Sequence, residues 1–392
     1  MTTLNIGLLF STTGTYQAIG KDALNGVLLG INQVNHNASL ALQIEPHIQN
    51  PGGSIEQYLA MTDAMLKHSN IQHIFGTITS IARKEVLPIV EKHDAMLWYL
   101  CPYEGFECSE NVIYYGACPN QHIVPLFEYV LPKYGNKAHL IGTNYIWGWE
   151  TNRIARELLM ACGGEVLSEK YYAFEEFEFS RQISEILEKK PDFILNNLVG
   201  SSSYAFLQTL AKAALQYPEL SRGKLPVLSC NVTECEIDKI GQAAQGMYTT
   251  ASYFQDVDSK ENQQLQDLAA SYFGNPIKIS SEFAAGYSSV LMLAEAVCEE
   301  RSSEPEMVKE YLANHSFNTA LGQLTLDPKT NHFPLTPYIA RVDQGQPLVI
   351  DQNVKQVIAD PYLVNFNAHE FAVKIAHGRR KMLGNSFLKV IK

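Results

Sequence analysis

The sequence predicts an α/β protein of two similar lobes, each a parallel sheet flanked by helices, and three observations predict it. Short apolar runs alternate in strict order with stretches whose apolar residues recur at helical spacing, an arrangement that implies right-handed crossovers and parallel strands. The rhythm runs from the first residues to Leu100 and restarts after Gln121. The chain, at 392 residues, is too long for one hydrophobic core.

The elements follow in order. Residues 4–11, LNIGLLFS, form an apolar run closed by the turn and cap signal Ser11-Thr12-Thr13-Gly14, and give the first strand. Helical spacing runs from Ala18 to Val34, and a second strand from Ala41 to Ile48. Asn50-Pro51-Gly52-Gly53 breaks the chain ahead of a helix starting near Ser54. IQHIFGTI, 71–78, is the third strand, a helix spans Ser80 to His93, and AMLWYL, 95–100, is the fourth strand. It leads into WYLCPYEGFE, 98–107, where four rings crowd around a Pro and a Gly that forbid regular structure. A loop so rich in rings must be holding something.

In the second series, helices over 122–134, 150–162, 180–189 and 202–214 alternate with strands over 137–143, 164–173, 192–198 and 225–230. Helices over 259–273, 281–299 and 306–314 come next, then strands over 322–326, 338–342 and 347–350. Elements left over after the second series suggest a chain that crosses between lobes more than once.

Apolar content of 46% and charged content of 18% make the chain globular. A formal charge of -11 argues against a nucleic-acid partner, which needs clustered cations. The one basic cluster, Arg379, Arg380 and Lys381, is short and reads as a solvated terminus. The opening residues MTTLNIGLLF have no basic flank and are interrupted by Asn5 and Gly7, so they read as a strand rather than an export signal. No apolar run approaches the roughly 18 residues of a membrane span. A cytoplasmic protein is expected if Met1 is the native start, and a periplasmic one if a signal was removed.

Seven cysteines with no CxxC spacing suggest reduced thiols, and no zinc-finger, HExxH, P-loop or GxGxxG pattern occurs. No metal, cofactor or catalysis is therefore expected. Cys101 as a nucleophile would need a base and an orienting partner, and neither is identifiable. Glu104 and Glu107 read better as turn or ion-pair groups than as an acid–base pair.

In open parallel sheets ligands sit beyond the carboxyl ends of the strands. The loops there are STTGTY (11–16), GTITS (76–80) and YLCPYEGFE (99–107) in the first series. In the second they are GTNYIWGWE (142–150), NNLVGSSSY (196–204) and SCNVTECE (229–236). Hydroxyls, amides and rings dominate, as suits a small, mainly uncharged polar ligand. Alternation along a strand sends Trp98 and Tyr99 to opposite faces, and Tyr99 is assigned to the cleft. Trp147 is preferred over Trp149 in the same way.

The segments IGLLFSTTG (6–14), NPGG (50–53), 79–126 with its YEGFE and PNQ elements, IGTNYIWGWETN (141–152), NLVGSSS (197–203) and DPYLV (360–364) carry a resemblance. They resemble the amide- and urea-binding branch of the type I periplasmic-binding-protein superfamily, including its cytoplasmic amide sensors. The resemblance implies two Rossmann-like lobes joined by a three-strand hinge and closing on ligand. It implies an N-lobe of 1–121 plus 252–335 and a C-lobe of 122–251 plus 336–370, which leaves a tail of 371–392. Within that tail GRRKMLGNSFLKVIK, 378–392, alternates basic and apolar residues and reads as a segment that docks on a neighbour or as a disordered end.

Functionally it implies a non-catalytic sensor of an amide-like ligand that controls an RNA-binding antiterminator protein, with no direct nucleic-acid or membrane contact. A homodimer through N-lobe helices is also implied. The alternative is the substrate-binding protein of an ABC importer for short-chain amides or urea. Matched residue by residue, Ser80 sits at the helix start that holds the ligand. Tyr99, Cys101 and Pro102 form a pocket wall, and Tyr145 and Trp147 face it. Val199, Gly200 and Tyr253 lie near the cleft and crossover. Glu234 is a further candidate, because related amino-acid binders place an acid there for the ligand ammonium. Ile78, Cys101 and Trp147 stand where the amide sensors have tyrosine, threonine and tyrosine. Each change removes a hydroxyl or adds apolar bulk, so a ligand with more apolar surface than acetamide is expected.

Overall fold

β1 (Thr2–Leu9) lies inside the first sheet, between β2 (Leu42–Gln49) and β3 (His73–Gly76), with β4 (Met96–Tyr99) and β5 (Val112–Tyr114) beyond β3, all parallel. The computed structural model describes residues 2–68 and 70–390, apart from the side chains of 68 and 383–390. β3 and β4 are buried at every position, which is why they read as continuous apolar runs rather than alternating ones. β5, three residues long, is too short to stand out in the sequence. Helices α1 (Gln17–Asn35), α2 (Ile55–His68) and α3 (Ser80–Lys92) connect these strands.

The second sheet has the order β14-β13-β10-β9-β8-β6-β7. Its parallel part is β6 (Lys137–Thr143), β7 (Glu165–Tyr172), β8 (Phe193–Asn197), β9 (Val227–Ser229) and β10 (Tyr248–Ala251). Helices α4 (Ile123–Tyr134), α5 (Ile146–Ala161), α6 (Ser180–Lys189), α7 (Gly200–Gln216) and α8 (Glu234–Ile240) accompany it. Antiparallel β13 (Tyr338–Asp343) and β14 (Gln346–Val349) complete the edge beside β10. Between β10 and β13 the chain returns to the first lobe as α9 (Lys260–Phe273), α10 (Ser281–Glu300), α11 (Pro305–Asn314) and the hairpin β11 (Phe317–Thr319) and β12 (Gly322–Leu324). It therefore passes between the sheets after β5, after β10 and after β12. Gln121 Nε2 donates to the carbonyls of Phe333, at 3.0 Å, and Val357, at 2.9 Å, which ties the first pass to the third.

α1 packs on α10 with very little space between backbones. A Cβ on Gly26 would stand 2.1 Å from the carbonyl oxygen of Phe283, and one on Gly30 would stand 2.8 Å from Val290 Cβ.

The end of the chain departs from the expected tail. α12 (Ala368–Val390) is a helix that packs on α4 and α5 of its own second lobe. Its buried Phe371 and Ile375 dock the first half of the helix on that lobe. Lys374 pairs with Glu128, and Arg379 Nε donates to the Leu131 carbonyl in the last turn of α4, where a cation complements the helix dipole. Of the basic cluster, Arg380 and Lys381 are exposed and Arg379 is half-buried. Among the described residues no helix is long and apolar enough to cross a membrane.

Candidate functional site

The ring-rich loop after β4 holds an arginine. Arg83, fully buried on α3, lies 4.4 Å from the ring centre of Tyr99 and 4.7 Å from that of Tyr103. Its Nε donates to Glu107 Oε1 at 2.6 Å, and its Nη2 lies 3.4 Å from Glu104 Oε1. Burial works against the guanidinium charge, but Tyr99, Glu107 and Glu104 hold its pKa above the usual value. Burial alone would raise Glu107; Arg83 and Lys84 outweigh it and hold the carboxyl down to about 2. Both carboxylates pair with Arg83, which fits the ion-pair reading of Glu104 and Glu107.

This network orients Ser80. The N-cap of α3 is Thr79, whose hydroxyl accepts from the Ala82 amide at 3.2 Å. Ser80, one residue further on, is free of capping and donates its proton to Glu104 Oε2 in a short hydrogen bond. Tyr99 donates to the Ile78 carbonyl at 3.1 Å. Both hydroxyls thus offer lone pairs to anything beside them.

What lies beside them is a chamber of about 40 Å³ between the lobes. The first lobe contributes Tyr16, Ile19, Ile78, Thr79, Ser80, Tyr99, Cys101, Pro102 and Glu282, and the second contributes Tyr145, Trp147, Val199 and Asn231. Tyr145 immediately precedes α5, and Trp147 lies in its first turn. That helix starts at Ile146 instead of 150, which carries the indole to the cleft. Trp149, 45% exposed, points elsewhere, and Trp98 stacks on Phe75 in the core at 5.3 Å. Trp147 Nε1 and the Tyr16 hydroxyl are buried with no hydrogen-bond partner. Burial, then Glu282, raises the Cys101 thiol well above its ordinary pKa, which favours the protonated form.

Three candidates stand outside the chamber lining. Gly200 opens α7 with φ +55°, and a Cβ there would meet the Thr15 carbonyl oxygen at 2.5 Å, so it serves the close approach of the two lobes. Tyr253 is buried and donates to Asn262 Oδ1 at 2.6 Å. Glu234 lines a separate cavity with Gln255 and Lys278, and its Oε1 accepts from the Gln255 amide at 2.7 Å.

Conversely, Tyr16 and Asn231 belong to loops whose composition pointed to the cleft, but neither was singled out. Glu282 comes from the start of α10, far along the chain, and carries no local signal beyond the Ser280 N-cap before it. Burial raises its pKa even though Ser280, Ser281 and Thr233 hydrogen-bond to it.

The lobes touch around the chamber. Thr15 Oγ1 donates to Glu175 Oε1 at 2.7 Å, Thr233 Oγ1 donates to Glu282 Oε2 at 3.3 Å, and Arg153 lies 4.8 Å over the Phe106 ring. Among the described residues no group of three or more His, Cys, Asp or Glu is placed to hold a metal, and all seven cysteines are free.

Comparison with known proteins gives three findings. The model of the periplasmic binding protein domain family matches residues 4–368. Among solved structures, an ABC transporter solute-binding protein from Rhodopseudomonas palustris HaA2 in complex with p-hydroxybenzoic acid superimposes with a TM-score of 0.81 at 18% identity, covering 93% of this chain and 100% of that one. Another from R. palustris, in complex with benzoate, gives 0.80 at 20% identity, covering 92% and 99%. An amino acid ABC transporter substrate-binding protein from Pseudomonas fluorescens Pf-5 gives 0.79 at 16%, covering 92% and 98%. At these identities the likeness is one of fold. A curated relative, the limonene hydroxylase of Geobacillus stearothermophilus, is 29% identical over 123 residues, covering 31% of this chain and 22% of its own length. The chain thus spans about a fifth of that protein, a stretch too short to carry its activity across.

Proposed function

Because the chain belongs to the periplasmic binding protein family, we propose that it is a non-catalytic receptor whose lobes close on a small, uncharged, amide-like molecule. One observation carries this reading: the inter-lobe chamber is lined by four rings and a buried carboxyl, and among the described residues no cationic side chain lines it. A carboxylate ligand would meet Glu282 in a desolvated space with nothing to neutralise it, at a cost of several kcal/mol. The benzoates bound by the similar structures do not suit this lining as ions. An amide does: its carbonyl can accept from Trp147 Nε1–H while its N–H groups meet the lone pairs of Ser80 and Tyr99. The chamber is compact, well below the roughly 150 Å³ that holds benzene, so ligands larger than short-chain amides require the lobes to part.

The similar structures, all ABC transporter solute-binding proteins, support the capture component of an importer, and the chamber lining is what suggests short-chain amides or urea as its cargo. The second reading, a cytoplasmic sensor acting on an RNA-binding antiterminator, rests on the YEGFE and PNQ elements. For both we assign the lobes as 1–121 with 252–335 and 122–251 with 336–370.

The test is calorimetry and thermal melting with acetamide, urea, propionamide and butyramide beside acetate and benzoate. Amides are expected to bind, with propionamide or butyramide tighter than acetamide or urea, and to stabilise the protein by about 2.7 kcal/mol at ~100 times Kd. Mass spectrometry should recover every amide unchanged. Binding of the acids without the amides would overturn the reading.

A further inference from the structure

The cleft does not end at the ring-lined chamber. Pro102, Asn231 and Glu282 also line a smaller adjoining space of about 10 Å³, whose wall includes His122, Thr233 and Ser281. That is roughly the room one water-sized group needs. His122 precedes α4, is 1% exposed and lies 5.7 Å from the Trp147 ring. Its Nε2 is 3.0 Å from the Tyr103 carbonyl oxygen, an atom that only accepts, so the ring proton is on Nε2. Burial, opposed by that carbonyl, lowers the imidazole pKa to about 4, so the ring is neutral near pH 7. Nδ1 is then a bare lone pair, buried and without a partner among the described residues. A buried acceptor left unpaired costs about 1–3 kcal/mol, so a donor arriving there recovers that cost.

We propose that His122 Nδ1 recognises the ligand, at an inner subsite that takes one small O–H or N–H group from the ligand's far end. The site then prefers an amide with a second donor over its alkyl isostere. This rests on the reading of the cleft as an amide site. The inner acceptor continues the pattern at Ser80 and Tyr99, whose protons are likewise committed to groups within the protein.

Glycolamide and propionamide differ only in a terminal hydroxyl or methyl, and calorimetry of the full chain with both tests the proposal. Glycolamide is expected to bind about tenfold tighter, as one recovered hydrogen bond implies. His122→Gln keeps a donor toward the Tyr103 carbonyl but removes the inner acceptor, and the preference should fall to about twofold or less. His122→Asn places an oxygen near the Nδ1 position and should keep most of it. Melting curves establish that both variants fold. Equal binding of the two amides by the native chain, or a preference that survives in His122→Gln, would overturn the subsite while leaving the amide reading intact. Failure of both amides to bind would overturn that reading and the subsite with it.

Discussion

Thr79 and Ser80 are neighbours with divided duties. The threonine hydroxyl caps α3, and the serine hydroxyl is steered toward Glu104 by a network centred on Arg83. Thr79→Ala should therefore lower unfolding stability by about 1 kcal/mol through the lost cap. Ser80→Ala should weaken amide binding by about tenfold or more, and cost about 1–3 kcal/mol because Glu104 loses a partner. Equal losses of affinity in the two variants, measured by calorimetry, would show that Ser80 is merely part of the helix start. The sequence alone leaves the cap open between the two, since both residues suit an N-cap and only the backbone decides which is the last non-helical one. The rings of the cleft stand out in it because loops so rich in aromatics are conspicuous. His122 and Glu282 do not, because each sits at a helix start that reaches the cleft only when distant segments are brought together.

The contact between α1 and α10 decides how the first lobe is built. Its helical spacing is plain in the sequence, but nothing local says that Gly26 meets the backbone of Phe283 rather than a side chain. Gly26→Ala would force a Cβ to 2.1 Å from that carbonyl oxygen, which backbone cannot yield cheaply. Although alanine is the better helix former by about 1 kcal/mol, the variant should lose about 2 kcal/mol or more, or fail to accumulate as soluble protein. Denaturant unfolding that shows it unchanged or stabilised would refute the close packing. β5, β10 and β11 are three or four residues long and do not stand out, whereas β9, equally short, lies inside the longer apolar run 225–230. The docking of α12 is hidden for another reason: the α4 surface that receives it lies far back in the chain. Its basic and apolar residues look like a solvated tail until the α4 surface that receives them is known.

Across the whole molecule, buried acids and buried imidazoles pull stability in opposite directions with pH. Burial raises Asp22 to about 7 and Glu234 and Glu236 to about 8, from ordinary values of 3.8 and 4.5. The folded chain keeps these protons where the unfolded chain has lost them, so stability falls as pH rises through that window. Burial lowers His73, His122, His139 and His332 from 6.5 to about 4. The unfolded chain takes up protons there that the folded one refuses, so stability falls as pH drops from 6.5 to 4. The slopes oppose each other below pH 6.5; above it the acids dominate, and Lys133, lowered by burial to about 8, opposes them only toward the upper end. The melting temperature should therefore fall by several degrees between pH 6.5 and 8.5, at roughly 2–4 °C per kcal/mol lost. A flat or rising profile would show that these carboxyls are ionised in the native state.

The docking of α12 has a practical consequence. Thr3 at the start of β1 travels with the first sheet, whereas Val373, on the helix clamped to α4, travels with the second. Both side chains are exposed. Spectroscopic labels at these two positions would act as a caliper across the jaws, so the polypeptide's own ends report whether its mouth is open or shut.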